Sequence, residues 1–273
     1  MKERIHKRRI GTVIRKDLRE IGAAKMVLLP MIVVPVIMAV FLPAVIIVTV
    51  GVGGTDMMNG VEQIESLIPD YHFPESVTDL THRLLYIFLN FTFLPLFLII
   101  PLMVSSIIAA NAVVGEKERG TLETLLYTPL TNREFIVGKL LGAFLPGALI
   151  APLSFILYFG VGNTLSQLMF GLFLVGSPEW IPALLLLSPA VSLLGLSVTL
   201  LVSIKTRTFM EAQQISAMVV VPLVAMMIAQ ISGLIVLNML YLVIVSVVTL
   251  LIDYVLITRL IPRFDREEII ARL

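Results

Sequence analysis

The sequence predicts an all-α integral membrane protein with six transmembrane helices and both termini cytoplasmic. Composition, the length of its apolar stretches and the placement of its charges predict it. The 273 residues are 58% hydrophobic and only 14% charged, with a mean hydropathy of +1.00. Soluble domains run near 45–50% apolar and about 25% charged, because their outer surface must be wetted. An ordinary cytosolic enzyme, a disordered regulator and a nucleic-acid binder are therefore excluded. Zero cysteines remove disulfides, thiolate metal sites and cysteine nucleophiles, and three histidines leave little for a metal centre, so none is expected.

A spanning helix needs roughly 20 mostly apolar residues, since about 1.5 Å per residue must cross about 30 Å of hydrocarbon. Six stretches qualify: Met26–Val52, Leu84–Val114, Leu140–Gly160, Ile181–Ile204, Gln214–Ile235 and Leu237–Ile257. Only Ser232-Gly233 and Asn238 interrupt the last two. That is compatible with two full spans, or with a short span, a re-entrant turn and a second span. Leu165–Val175 is apolar but too short to cross, and is expected as an interfacial segment.

Charge gives the topology. Nine Lys/Arg precede the first span, four lie between spans two and three, two follow span four and four follow span six. Nineteen of twenty thus fall on one side of a six-span chain, with Arg83 alone opposite. Basic residues stay on the cytoplasmic side, which places both termini inside. The implied organisation is a connector over residues 1–25 and a six-span domain over 26–260, with a tail over 261–273. Within the domain lie an acidic extracytoplasmic segment at 53–83 and a cytoplasmic elbow at 115–139. Ser76 and Asp79 have capping-box spacing, so a helix is expected to begin there. The N-terminus is read as an amphipathic helix on the inner leaflet, with Ile10, Val13, Ile14, Leu18 and Ile21 near one stripe.

The elbow carries the strongest local signals. Gly120 ends or bends the extension of span two, and Thr121 can cap a short helix bearing Leu122, Leu125 and Leu126. Pro129 ends that helix, because the residue before proline is steered out of the α region. Thr131 and Glu134 then form a capping box opening the helix into span three. An apolar edge in a cytosolic loop needs a partner surface or the membrane interface to cover it.

This loop resembles the coupling segment of type-two permeases of ATP-binding-cassette (ABC) exporters, an E-x-x-x-G-T-x-E-x-L-L-x-[ST]-P pattern followed by G-K at the base of span three. Glu116, Gly120, Thr121, Glu123, Leu125, Leu126, Thr128, Pro129, Gly138 and Lys139 fit it in order, and Glu118 lies within it. Ile14-Arg-Lys-Asp-Leu-Arg-Glu20 is similar to the family's connector helix, with Arg15, Lys16, Leu18 and Arg19 as its core. The resemblance implies an elbow docked in a separate nucleotide-binding subunit, two such cytoplasmic ABC ATPase subunits, and a second permease copy or paralogue. It implies ATP and Mg on the partner subunit and no cofactor on this chain. Gly138-Lys139 runs into Leu140 without an upstream P-loop glycine, so this chain offers no phosphate cradle. The expected location is the cytoplasmic membrane of a prokaryote, in contact with membrane lipid and no nucleic acid.

Polar residues within the spans each need an account, since an ionised group at mid-bilayer costs roughly 2.5–3.5 kcal/mol on insertion scales. Asp253 lies about 9 Å along a helix before Arg259, where snorkelling or pairing with a nearby arginine would satisfy it, a reading preferred to a cation or proton site. Asn90, Asn111 and Gln230 could line a translocation path or join helices, as could Asp253. Gly138-x-x-x-Gly142 permits close helix approach at the base of span three. Recurrent prolines bend the spans. Ser177-Pro178-Glu179-Trp180 is expected to cap span four, and Thr208 with Glu211 to cap span five.

Three functions compete. An ABC exporter permease for a hydrophobic or amphipathic cargo (drug, lipid or peptide) fits best, with a sodium-ion-exporting ABC permease as its alternative. A stand-alone secondary transporter would need several buried charges and repeated broken helices. An intramembrane enzyme would need a nucleophile–base pair at depth, yet no histidine or cysteine lies in any span.

Overall fold

The computed structural model describes residues 7–53, 73–120, 131–232, 234–235 and 237–263. The described residues form helices and no strand. A first helix, α1 (Lys7–Ala23), precedes six helices long and apolar enough to cross a membrane. These are α2 (Val27–Gly53), α3 (Leu80–Glu118), α4 (Asn132–Phe170), α5 (Trp180–Ser203), α6 (Phe209–Ile231) and α7 (Met239–Arg263). All six expected spans are present. Lys117, Lys139 and Lys205 mark one end of the bundle with α1, called here the basic end.

Helix α3 is the axis of the bundle: every residue from Val104 to Glu116 is buried. It packs against α4 and α5 through small residues. The Ser105 and Ser192 hydroxyls lie 2.5 Å apart, and a Cβ on Gly147 would come within 1.8 Å of Ser105 Oγ. No larger side chain fits where these three helices meet. Helices α2, α6 and α7 turn long apolar side chains outward, among them Phe41, Met218 and Leu240, the pattern of a hydrocarbon-facing surface.

The prolines do more than bend these helices. Three short π-helical segments interrupt α2, α3 and α5, at Ile37–Phe41, Phe88–Thr92 and Ala183–Leu187. Each is followed by a proline whose i−4 carbonyl sits mid-segment: Pro43 over Ala39, Pro95 over Phe91, Pro189 over Leu185. The proline ring collides with that carbonyl in a regular helix, and widening the preceding turn relieves the collision. A fourth segment, Asn111–Gly115, has no such proline.

Three local expectations are corrected. Leu165–Val175 is not a separate interfacial segment. Leu165–Phe170 continues α4, which ends at Gly171 with φ +71, and the chain then returns without helix to the start of α5. Asn163 fixes that return, its amide donating to the Val175 carbonyl (2.9 Å) and accepting from the Val175 N–H (3.0 Å). Ser76 caps no helix. Helix α3 starts at Leu80 after an extended Asp79, whose side chain makes no cap bond. The Ser177 hydroxyl is unbonded among the described residues, and the entry to α5 is closed by its carbonyl, which accepts from the Trp180 N–H (3.2 Å).

The division between the last two spans is clear. Helix α6 ends at Ile231 and α7 begins at Met239, where Asn238 Oδ1 accepts from the Tyr241 N–H at 2.8 Å.

Candidate functional site

The densest polar constellation lies at the basic end, on either side of the elbow. Val13, Asp17 and Ile21 form the buried stripe of α1, one helical turn apart. This corrects the stripe read from the sequence: Leu18 is 42% exposed, Arg15 and Arg19 point outward, and Asp17 is enclosed instead. The cause lies on α4. A Cβ on Gly138 would come within 2.8 Å of Val13, and one on Gly142 within 3.3 Å of the Asp17 carboxylate. Glycines one turn apart thus face Val13 and Asp17 one turn apart, and the two helices touch along that strip.

Lys139 follows the first of those glycines. Its ammonium, 1% exposed, donates to Asp17 Oδ1 at 3.0 Å and to Glu116 Oε1 at 2.9 Å. Lys16 also donates to Glu116 Oε1 and pairs with Glu20 at 3.0 Å. Burial pushes the Asp17 carboxyl above its ordinary range, and Lys139 offsets part of that rise. Burial alone would lower Lys16, but its bonds to Glu116 and Glu20 outweigh it and leave its value raised. Carboxylate oxygens of Asp17, Glu20 and Glu116 lie within 4.8 Å of one another, a spacing able to hold a metal ion. The two lysine ammonium groups already place positive charge against them. A single cation therefore joins α1, α3 and α4.

The next residues of α3 reach other elements. Lys117 donates to the carbonyls of Ser203 (2.9 Å) and Ile204 (3.1 Å), where α5 ends. Glu118 Oε1 accepts from the Phe209 N–H (2.9 Å), where α6 begins. Arg119 donates to Asn111 Oδ1 (3.0 Å) within α3. Gly120 follows with φ +66, a conformation open to glycine, and turns the chain into the elbow. The elbow residues Thr121, Glu123, Leu125, Leu126, Thr128 and Pro129 lie outside the described residues. Beyond them the expected capping box is formed: Thr131 accepts from the Glu134 N–H at 3.2 Å, and Glu134 accepts from the Thr131 N–H at 3.1 Å. Thr208 accepts from the Glu211 N–H, but Glu211 reaches back one residue further, to the Arg207 N–H.

The candidate path residues do not converge. Asn90 and Asn111 share α3 and stand about 31 Å apart along it. Asn90 holds the α4–α5 return: it donates to the Tyr86 and Leu174 carbonyls and accepts from the Gly176 and Ser177 N–H groups. Asn111 lines a cavity of about 400 Å³ at the basic end with Lys25, Glu118, Arg119, Phe209 and Met210. Gln230 and Asp253 are on α6 and α7, and their polar side-chain atoms lack hydrogen-bond partners among the described residues. The arginine pairing expected for Asp253 is not formed with any described side chain.

Asp17, Lys117 and Asn163 carry no motif that marks them in the sequence. The Gly138-x-x-x-Gly142 spacing was the available signal for Asp17, and it named a close approach without naming the partner.

No curated protein matches the chain. A family model described as "ABC-2 family transporter protein" matches residues 11–263, which include α2 to α7 and the elbow. Six membrane-spanning helices, an elbow bounded by Gly120 and the Thr131 cap, and a match over nearly the whole chain place this protein in the ABC-2 transporter family, as a multi-pass membrane component.

Proposed function

We propose that this chain is the permease subunit of an ATP-driven exporter, with its basic end and both termini in the cytoplasm of a prokaryotic cell. Membership of the family implies association with an ABC ATPase subunit. In this reading two such subunits hold ATP and Mg, two permease chains form the membrane part, and this chain performs no catalysis itself. The charge partition supports the orientation, because basic residues are retained on the cytoplasmic side.

The observation that carries the reading is the Lys139 ion pair with Asp17 and Glu116. It ties α1 to the last turn before the elbow and to the first turns after it. Movement of the elbow by a closing ATPase therefore displaces α1, α3 and α4 together, instead of bending a loose loop. Hydrophobic or amphipathic cargo suits spans that bury few charges. Cation export is a second reading, favoured by Asp253, which is 2% exposed and whose carboxylate oxygens lack a partner among the described residues.

The test is reconstitution of the chain with its ATPase in liposomes. A hydrophobic or amphipathic compound should stimulate ATP hydrolysis, and replacing Glu123 or Leu125 should abolish that stimulation while the spans stay folded. Stimulation by sodium alone, lost in Asp253→Asn, selects the second reading. Transport that persists with no ATPase present refutes both.

A further inference from the structure

Four consecutive residues at the end of α3 make four different connections, and two of them, Lys117 and Glu118, reach the turn between α5 and α6. Lys117 places its ammonium on the last carbonyls of α5, within 2.9 Å of Ser203 O and 3.1 Å of Ile204 O. Glu118 places a carboxylate on the first N–H of α6, at Phe209. Each charge has the sign that its helix end attracts: a cation at the C-terminus of α5, an anion at the N-terminus of α6. Beneath them Ala110 and Val114 of α3 pack with Ala212 and Phe209 of α6 and Val202 of α5. The turn 204–208 is thus held to α3 by two charged side chains over a small apolar contact.

The segment of α3 that leads into these residues is the π-helical turn Asn111–Gly115, the one such segment described here that no proline explains. Asn111 Oδ1 packs on Gly115, where a Cβ would come within 2.8 Å, and accepts from Arg119 at 3.0 Å across the turn. The widened turn sets the rotation of Glu116, Lys117 and Glu118, so that the first faces α4 while the next two face α5 and α6.

We infer that Lys117 and Glu118 are positioning residues that splint the α5–α6 turn to the end of α3, so that a displacement arriving at the elbow moves α3, α5 and α6 as one body. The role of the splint in transport rests on the reading that an ATPase acts on the elbow; the splint as a rigid connection does not. Glu116 carries the same displacement to α1 and α4 through Lys139. One short run of side chains then distributes the stroke to both halves of the bundle.

The chain has no cysteine, so spin labels can be placed at will. Labels at Arg119→Cys and Arg207→Cys report the distance across the splint, in nanodiscs with the ATPase bound. The distance should be narrow and unchanged between nucleotide-free and ATP-bound states. In Lys117→Gln/Glu118→Gln it should broaden and become nucleotide-dependent, and Lys117→Arg alone should keep the wild-type distribution. Hydrogen exchange at the Phe209 amide should rise about tenfold in Glu118→Gln, as expected when a charged acceptor is replaced by a neutral one. A wild-type distance that shifts with ATP overturns the inference, as does a double variant indistinguishable from wild type. If the double variant does not fold, Glu118→Gln alone is read by the same distance and exchange measurements. If no ATPase binds, the wild-type and variant distributions are compared in the chain alone: broadening upholds the splint, and identity overturns it.

Discussion

Lys139 and Asp17 are 122 positions apart in the chain, yet their side chains meet at 3.0 Å with 1% and 3% of their surfaces exposed. Desolvating two charges costs about as much as their attraction returns, so such a pair adds little net stability. Breaking it is another matter. The pair acts as a register, fixing which face of α1 lies on α4.

The two partners should therefore respond unequally to substitution. Lys139→Met leaves Asp17 buried without its bonded cation, while Glu116 keeps Lys16, and should lose about 3 kcal/mol. Asp17→Asn keeps the shape and leaves Lys139 on Glu116, so the expected loss is about 1–2 kcal/mol. Denaturant midpoints of the purified protein in detergent decide it; a larger loss for Asp17→Asn contradicts the shared-cation arrangement.

The same network predicts a pH response. Lys16 has a raised value in the folded chain, so its stabilising bonds are intact below its ordinary 10.5 and are lost as pH rises through the raised value. Asp17 is also raised. The folded chain takes up that proton before the unfolded chain does, so this residue's contribution to stability grows as pH falls toward its ordinary 3.8. Protection of the α1 amides, taken relative to their base-catalysed intrinsic exchange, should hold through mildly acidic and neutral pH and fall only in strong alkali. Release of α1 on mild acidification, with the wild-type sequence, would count against it.

Close packing at the bundle axis gives a third expectation. Gly147→Ala forces a methyl group to 1.8 Å from Ser105 Oγ and 2.8 Å from Ser192 Oγ, and should cost about 1–3 kcal/mol. Gly160→Ala, on the same helix with nothing within 4 Å of the new carbon, should be neutral or stabilising by about 1 kcal/mol. Thermal denaturation of the two variants compares them directly.

Asn90→Leu removes four hydrogen bonds and orphans the Gly176 and Ser177 N–H groups. With about 1–3 kcal/mol for each backbone group left unpaired, the total loss should reach about 2 kcal/mol or more. Amide exchange at Gly176 and Ser177 should quicken. Unchanged stability combined with altered cargo response would instead favour a place for Asn90 on the transport path.

The spans, the breaks around the elbow and the Thr131–Glu134 cap are readable from sequence because each is a local signal: an apolar length, a glycine, a proline, a three-residue spacing. The face of α1 is not. Its own periodicity favours Leu18 over Asp17, and the choice is reversed by Gly138, Lys139 and Gly142 on a helix more than a hundred residues away. Asn90 likewise reads as a polar residue in a span, and only the return at 171–177 explains it. Pro43, Pro95 and Pro189 predict bends, while the π-helical turn that each one causes depends on the carbonyl four residues earlier.

Engagement of an ABC ATPase through the elbow is decided by co-expression. The tagged chain and its cognate ABC ATPase subunit should co-purify as a stable complex in detergent. Leu125→Glu/Leu126→Glu in the elbow should release the ATPase while the permease stays folded. A wild-type chain that retains no ATPase, or a variant that retains it undiminished, would contradict the account.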